Sequence, residues 1–192
     1  IYLFLWIFAV TNIMTAQTLP EFSNGNNEKW YYLQFCRGGN VIQDMGEGVN
    51  VMTKNAVKGS ASQLWKITGT QDQCEITNKN RRHLYYNSNS WSNNGRYVAS
   101  TIKTGSLKLY STTTTFAPAW EIQTSSIQGY SMNQWGGYNS GRELGEWNQN
   151  DINNPLLFIL PSDLNVTDTL PSTKSEYKYT SIIGYSPSNM LT

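Results

Sequence analysis

The stretch "QWGGYNSGRELGEWNQND", Gln134 to Asp151, sets two tryptophans, a tyrosine, an arginine and three carboxylates among glycines and three asparagines, all within eighteen positions. Two kinds of chemistry use such residues. Carboxylates on either side of a bond serve as acid and base in glycoside hydrolysis. Flat aromatic rings beside short amides instead hold a ligand with one apolar face and a rim of hydroxyls. The carboxylate reading is the weaker, because Glu143 and Glu146 are an odd number of residues apart and would point to opposite faces of a strand. His83 has no serine or cysteine partner in a recognisable motif, and the chain has no P-loop, dinucleotide fingerprint or metal-ligand cluster. The sequence therefore predicts no intrinsic catalysis and no metal or other cofactor.

Composition narrows the partners. With 14 basic and 13 acidic residues the net charge is +1, which supplies no basic surface for nucleic acid or for a membrane. Only 14% of residues are charged while 13% are aromatic, a balance that suits an exported β-rich domain. The apolar run Ile1–Val10, followed by "MTAQ" at 14–17, reads as the core and end of a secretory signal cut after Ala16. Ten apolar residues are too few to span a bilayer. The expected location is secreted or extracytoplasmic, with no membrane attachment once the signal is removed. Cys36 and Cys74 are the two cysteines, and sequence leaves open whether they are bridged or are buried thiols.

The elements that must position the aromatic stretch are short. Alternating runs such as "WYYLQF" (30–35), "VIQDM" (41–45), "QLWKI" (63–67), "CEIT" (74–77), "SLKLYS" (106–111) and "LLFIL" (156–160) are separated by turn clusters such as "RGGN" and "YNSG". This pattern predicts an all-β sandwich or barrel. Three of the runs match one another: "QLWKI" at 63–67, "PAWEI" at 118–122 and "LLFIL" at 156–160 align Trp65, Trp120 and Phe158. "VIQDMGEG" (41–48) likewise matches "SMNQWGGY" (131–138). Three copies imply threefold pseudo-symmetry, with the longer pitch between the first two absorbed by an insertion, "NSNSWSNNGRYVAS".

These residues resemble the ricin B-type β-trefoil lectins, in which each lobe closes on a Q-x-W signature, and the trefoil modules attached to exported bacterial carbohydrate-active enzymes. "QLW" carries the signature intact, and "PAW" and "LLF" carry it in degenerate form. The resemblance implies a β-trefoil over 29–161 with three four-stranded lobes at about 29–68, 69–123 and 124–161. It would be preceded by the signal (1–16) and a lead (17–28), and followed by a polar linker (162–176) and the start of a further domain (177–192). Trp65, Trp120 and Phe158 become the core signature.

The resemblance also implies a glycan or oligosaccharide as partner, alongside a downstream domain of the same polypeptide. In the first lobe it points to Asp44, Asn55 and Gln63 as sugar contacts. In the third lobe it points to Gln134, Trp135, Trp147 and Asn148, with Gln43 and Asn133 as the alternatives one residue away in the second strands and Arg142 nearby. Leu156 stands at the third lobe's signature glutamine. The second lobe has Tyr110 and Pro118 at the asparagine and glutamine positions, so its site is expected to be lost. Competing expectations are that Trp135 and Trp147 pack under the barrel rim with Arg142 paired to Glu143 or Glu146, and that the domain is a structural or protein-interaction trefoil without sugar.

Overall fold

The structure, a computed structural model, describes residues 19–88, 95–102, 105–124 and 128–165. The expected signal segment, nearly all of the linker and the closing stretch 177–192 lie outside the described residues. What is described is all-β: β1 (Tyr31–Phe35), β2 (Val41–Gln43), β3 (Val49–Asn50), β4 (Met52–Lys54), β5 (Leu64–Gly69), β6 (Cys74–Asn78), β7 (His83–Asn87), β8 (Arg96–Ser100), β9 (Leu107–Ser111), β10 (Trp120–Thr124), β11 (Tyr130–Gln134), β12 (Leu144–Asn148) and β13 (Leu156–Ile159). β3 and β4 are halves of one strand, broken at Val51, whose amide donates to the Tyr97 carbonyl at 2.9 Å.

Pairing closes the sheet on itself. β1 pairs with β5, β5 with β6, β6 with β9, β9 with β10, β10 with β13, and β13 with β1 again. The six strands form a barrel with no free edge, which removes the exposed ladder groups of an open sheet. Three hairpins stand off it: β2–β4, β7–β8 and β11–β12. This is the three-lobed trefoil that the sequence predicts. No single lobe is thick enough to bury its own apolar face, and all three contribute to one core. Trp65, Leu33, Ile67, Ile76, Leu109 and Ile122 are fully buried there and Phe158 nearly so. The Trp65 indole donates to the Ile42 carbonyl at 3.0 Å, so the ring is buried without an unpaired donor, and burying about 200 Å² of indole is worth about 5 kcal/mol.

The barrel register corrects the repeat. Trp65 pairs with Tyr31, Leu107 with Cys74, and Leu156 with Trp120. Trp65, Leu107 and Leu156 therefore occupy one place in the three lobes, and Tyr31, Cys74 and Trp120 another. Trp120 stands on the first strand of the third lobe, not on the last strand of the second, so the third lobe begins before residue 124. Trp120 is also only partly buried, packing against the core rather than completing it. Phe158 is a core residue at the place of Ile67, not of Trp65. The error has a physical source in "RYVAS", taken as part of an insertion but folded as β8, all five residues buried. With that strand overlooked, β9 is counted as the third strand of its lobe and β10 as the fourth, while β11, β12 and β13 keep their expected places in the third lobe.

Candidate functional site

In the hairpin β11–β12, Ser131 faces Trp147, Met132 faces Glu146, Asn133 faces Gly145 and Gln134 faces Leu144. Met132 and Leu144 are core residues. Strand alternation then sends Ser131, Asn133, Gly145 and Trp147 to the other face. Gly145 is the floor of that face: a Cβ there would lie 3.0 Å from the Trp135 ring, so the glycine lets the indole lie flat against the backbone. Below the same ring is the Arg96 guanidinium, 4.8 Å from the ring centroid and almost wholly buried. The arginine donates to Glu143 Oε2 at 2.9 Å, joining the second lobe to the third. Trp147 meets Trp135 edge to face, with centroids 5.8 Å apart and planes at 75°. Trp135 is half-buried and Trp147 is 49% exposed. The pair forms a ledge whose base is held by a cation and a glycine and whose outer ring is open to solvent. Neither ring is packed under the rim.

The loop between these strands is pinned to the first lobe. Thr53 Oγ1 donates to the Asn139 carbonyl at 2.9 Å, the Gly141 amide donates to the Thr53 carbonyl, and the Asn40 amide donates to the Tyr138 carbonyl at 2.9 Å. Arg37 lies 4.4 Å over the Tyr138 ring and donates to Asn153 Oδ1 at 2.9 Å. Gly38, at φ +83°, passes so close that a Cβ would sit 2.4 Å from the Tyr138 carbonyl oxygen. Sequence reasoning missed Arg37 and Tyr138, since their contact spans lobes that are far apart in the chain. The signal that could have found Tyr138 is its place in the glycine-rich "GGYNSG" loop, where it is 44% exposed.

The structure separates the nine predicted sugar-contact residues into two groups. Trp147 and Asn148 are exposed, and Trp135, Arg142 and Asn55 are partly so. Asp44, Gln63, Gln134 and Asn133 are buried. Asp44 accepts from Arg82 at 2.6 Å, from Asn78 at 2.7 Å and from the Gly46 amide at 2.8 Å, and its side chain has no exposed surface. Gln63 donates to Gln43 Oε1 and the Asn55 carbonyl and accepts from the Val57 amide. Both are internal braces, with their polar atoms already paired within the protein, and neither presents a group to a ligand. Gln134 donates to the Arg37 carbonyl at 3.0 Å and is fully buried. Asn133 directs its amide to Asp151 and Asn154.

Asn154 is the residue that sequence reasoning overlooked. Two positions before Leu156, as Gln63 is two before Trp65, it is fully buried and donates to the Asn148 carbonyl at 2.8 Å. Gln63 does the same to the Asn55 carbonyl at 2.9 Å. Gln63 bonds Gln43, and Asn154 bonds Asn133. The third lobe thus keeps the signature amide as "NPL", one methylene shorter, and Asn154 rather than Leu156 stands at the glutamine's place. Its other contact is Glu121, a fully buried carboxylate satisfied by Thr112 and the Asn150 amide. This network fixes the turn that carries Asn148 beside Trp147. In the second lobe the same register puts Gly105, not Pro118, at the glutamine position.

The carboxylates of the opening stretch lie apart. Glu143 meets Arg96 and Glu146 meets the Tyr97 hydroxyl at 3.2 Å, adjacent residues that point to opposite faces of β8. The Asn50 amide and then Arg96 hold the Glu143 carboxyl below its ordinary range, against the opposing effect of burial. Burial raises that of Glu146. Arg142 pairs with neither. Cys36 and Cys74 are free and buried in separate clusters; burial pushes the Cys36 thiol up and takes Cys74 to about 12.

A closed six-stranded barrel carrying three hairpins also occurs in solved structures. A ricin B-like lectin from Macrolepiota procera superposes with a TM-score of 0.60 at 15% identity, over 74% of this chain and 100% of that one. The chain has the β-trefoil fold. The Rhizoctonia solani agglutinin matches this trefoil with a TM-score of 0.57 at 19% identity, over 73% of this chain and 99% of that one. A designed threefold-symmetric protein, ThreeFoil, matches it at 0.57 and 13% identity, over 68% and 97%. No protein-family model matches the sequence, and neither does any curated protein sequence.

Proposed function

We propose that this trefoil is a carbohydrate-binding module whose working site is the third lobe. The observation that carries the reading is the Trp135–Trp147 ledge, an exposed indole held edge to face on a partly buried one. A pyranose places its C–H face on such a ring and its hydroxyls against nearby amides. Exposing an indole that the fold does not need for its core is unfavourable in water, and ligand burial offsets it. The Macrolepiota lectin superposed above was solved with lactose, and an earthworm R-type lectin domain of similar fold (TM-score 0.53, 15% identity) with GalNAc, which favours a sugar as the ligand class. The first lobe is structural, since its acidic and glutamine positions are consumed internally. The apolar run Ile1–Val10 ending in "MTAQ" supports an exported setting, in which the module would hold a larger polypeptide on glycans. Titration of the full chain against a glycan panel tests this. We expect weak, metal-independent binding that Trp147→Ala abolishes without unfolding the protein. Equal binding by that variant would overturn the assignment.

A further inference from the structure

Resting on that reading, we propose that the third-lobe site selects acidic glycans, chains bearing a carboxylate or a sulfate, with Arg37 and Arg142 receiving the anion. The two guanidiniums bracket one exposed loop. Arg37 stacks 4.4 Å over Tyr138 and is anchored through Asn153. Arg142 has Nη1 3.5 Å from where a Cβ on Gly136 would lie. Between them Gly137 has no neighbouring atom within 4 Å of its own Cβ position. This is an open stretch of backbone that runs on from Trp135.

Neither arginine pairs with a described carboxylate; the arginine ion pairs among the described residues belong to Arg82 and Arg96. The carboxylates close in sequence are already engaged. Glu143 is held by Arg96 and Asn50, and Asp151 accepts from Asn133 and the Asn153 amide. In a chain of net charge +1, two uncompensated cations beside the ledge are a local feature rather than a general basic surface. Stacking on Tyr138 limits the rotamers of Arg37, so its planar fork loses little freedom on meeting a carboxylate or sulfate.

The test measures affinities of the full chain for matched pairs: lactose against 6′-sialyllactose, and lactose against 3′-sulfolactose, extended to neutral and acidic members of a glycan array. We expect the acidic member of at least one pair to bind about tenfold more tightly at low ionic strength, the scale of one charge-assisted contact. That advantage should shrink as salt is raised. Arg37→Gln and Arg142→Gln should each move the acidic-to-neutral affinity ratio toward one. Salt dependence of the unaltered protein provides a readout that does not rely on a variant folding. Neutral and acidic members bound alike, with no salt effect, would overturn this inference while leaving the glycan-binding reading intact. No binding across the whole array would overturn both.

Discussion

Asn154→Ala should unfold the third lobe's turn while leaving the barrel core untouched. The side chain is fully buried and makes three contacts: it donates to the Asn148 carbonyl at 2.8 Å and to Glu121 at 3.3 Å, and accepts from Asn133 at 2.7 Å. Each net hydrogen bond contributes about 1 kcal/mol, and leaving buried partners short adds more, so the loss should be about 3–5 kcal/mol. At about 2.1 cal/mol/K per residue, a domain of roughly 130 residues should then melt about 10–20 °C lower. Thermal unfolding followed by circular dichroism or calorimetry reads this directly. Gln63→Ala, at the same place in the first lobe, should behave alike. Asn148→Ala, whose exposed side chain makes no described hydrogen bond, should shift the midpoint by no more than a degree or two. An Asn154→Ala midpoint within about 4 °C of the unaltered protein would refute the claim that this amide is the third lobe's brace.

Other outcomes follow from single contacts. Gly38→Ala should destabilise by about 2 kcal/mol or more in denaturant titrations, because φ +83° is strained for any side chain and its Cβ would meet the Tyr138 carbonyl. Burial raises the Glu146 carboxyl in the folded state, so its contribution is full below its ordinary 4.5 and lost as pH rises through the folded value. Glu146→Gln should therefore melt higher than the unaltered protein at pH 7, with the difference closing by about pH 4; a difference that widens on acidification would contradict this. Cys36 and Cys74 are buried, free and protonated, so a thiol reagent should titrate both only after unfolding. An intact bridge under non-reducing mass analysis would contradict the geometry.

The fold was legible wherever an apolar residue recurred at strand spacing. "QLW" announced Trp65 because a core at a threefold axis needs a large ring at one place, and the six barrel strands all fall on predicted runs. β8 was hidden. Arg96 reads as a surface residue, yet it is buried by a carboxylate and an indole from another lobe, and no local pattern reveals a partner 47 residues away. Asp44 failed for the same reason. Its acid looks available in sequence, but Arg82 and Asn78 of the next lobe claim it. Asn154 was missed because a shorter amide two residues before Leu156 does the glutamine's work there, and the spelling "NPL" does not show it. Trp135, Trp147 and Asn148 stand out in the sequence because they exceed what a hairpin needs for its own packing, and the structure leaves Trp147 and Asn148 exposed. Arg37 and Tyr138 could be found only by joining the first lobe to the third.

The proposed sugar site stands or falls on whether Trp147 and Trp135 form the surface on which the sugar rests. Indole N–H resonances of the seven tryptophans, followed by NMR while the full chain is titrated with a bound oligosaccharide, report it without altering the protein. The Trp147 and Trp135 signals should shift saturably and together, with the buried Trp65 signal unmoved. Saturable binding that leaves both unchanged, or that moves Trp30 instead, would contradict it.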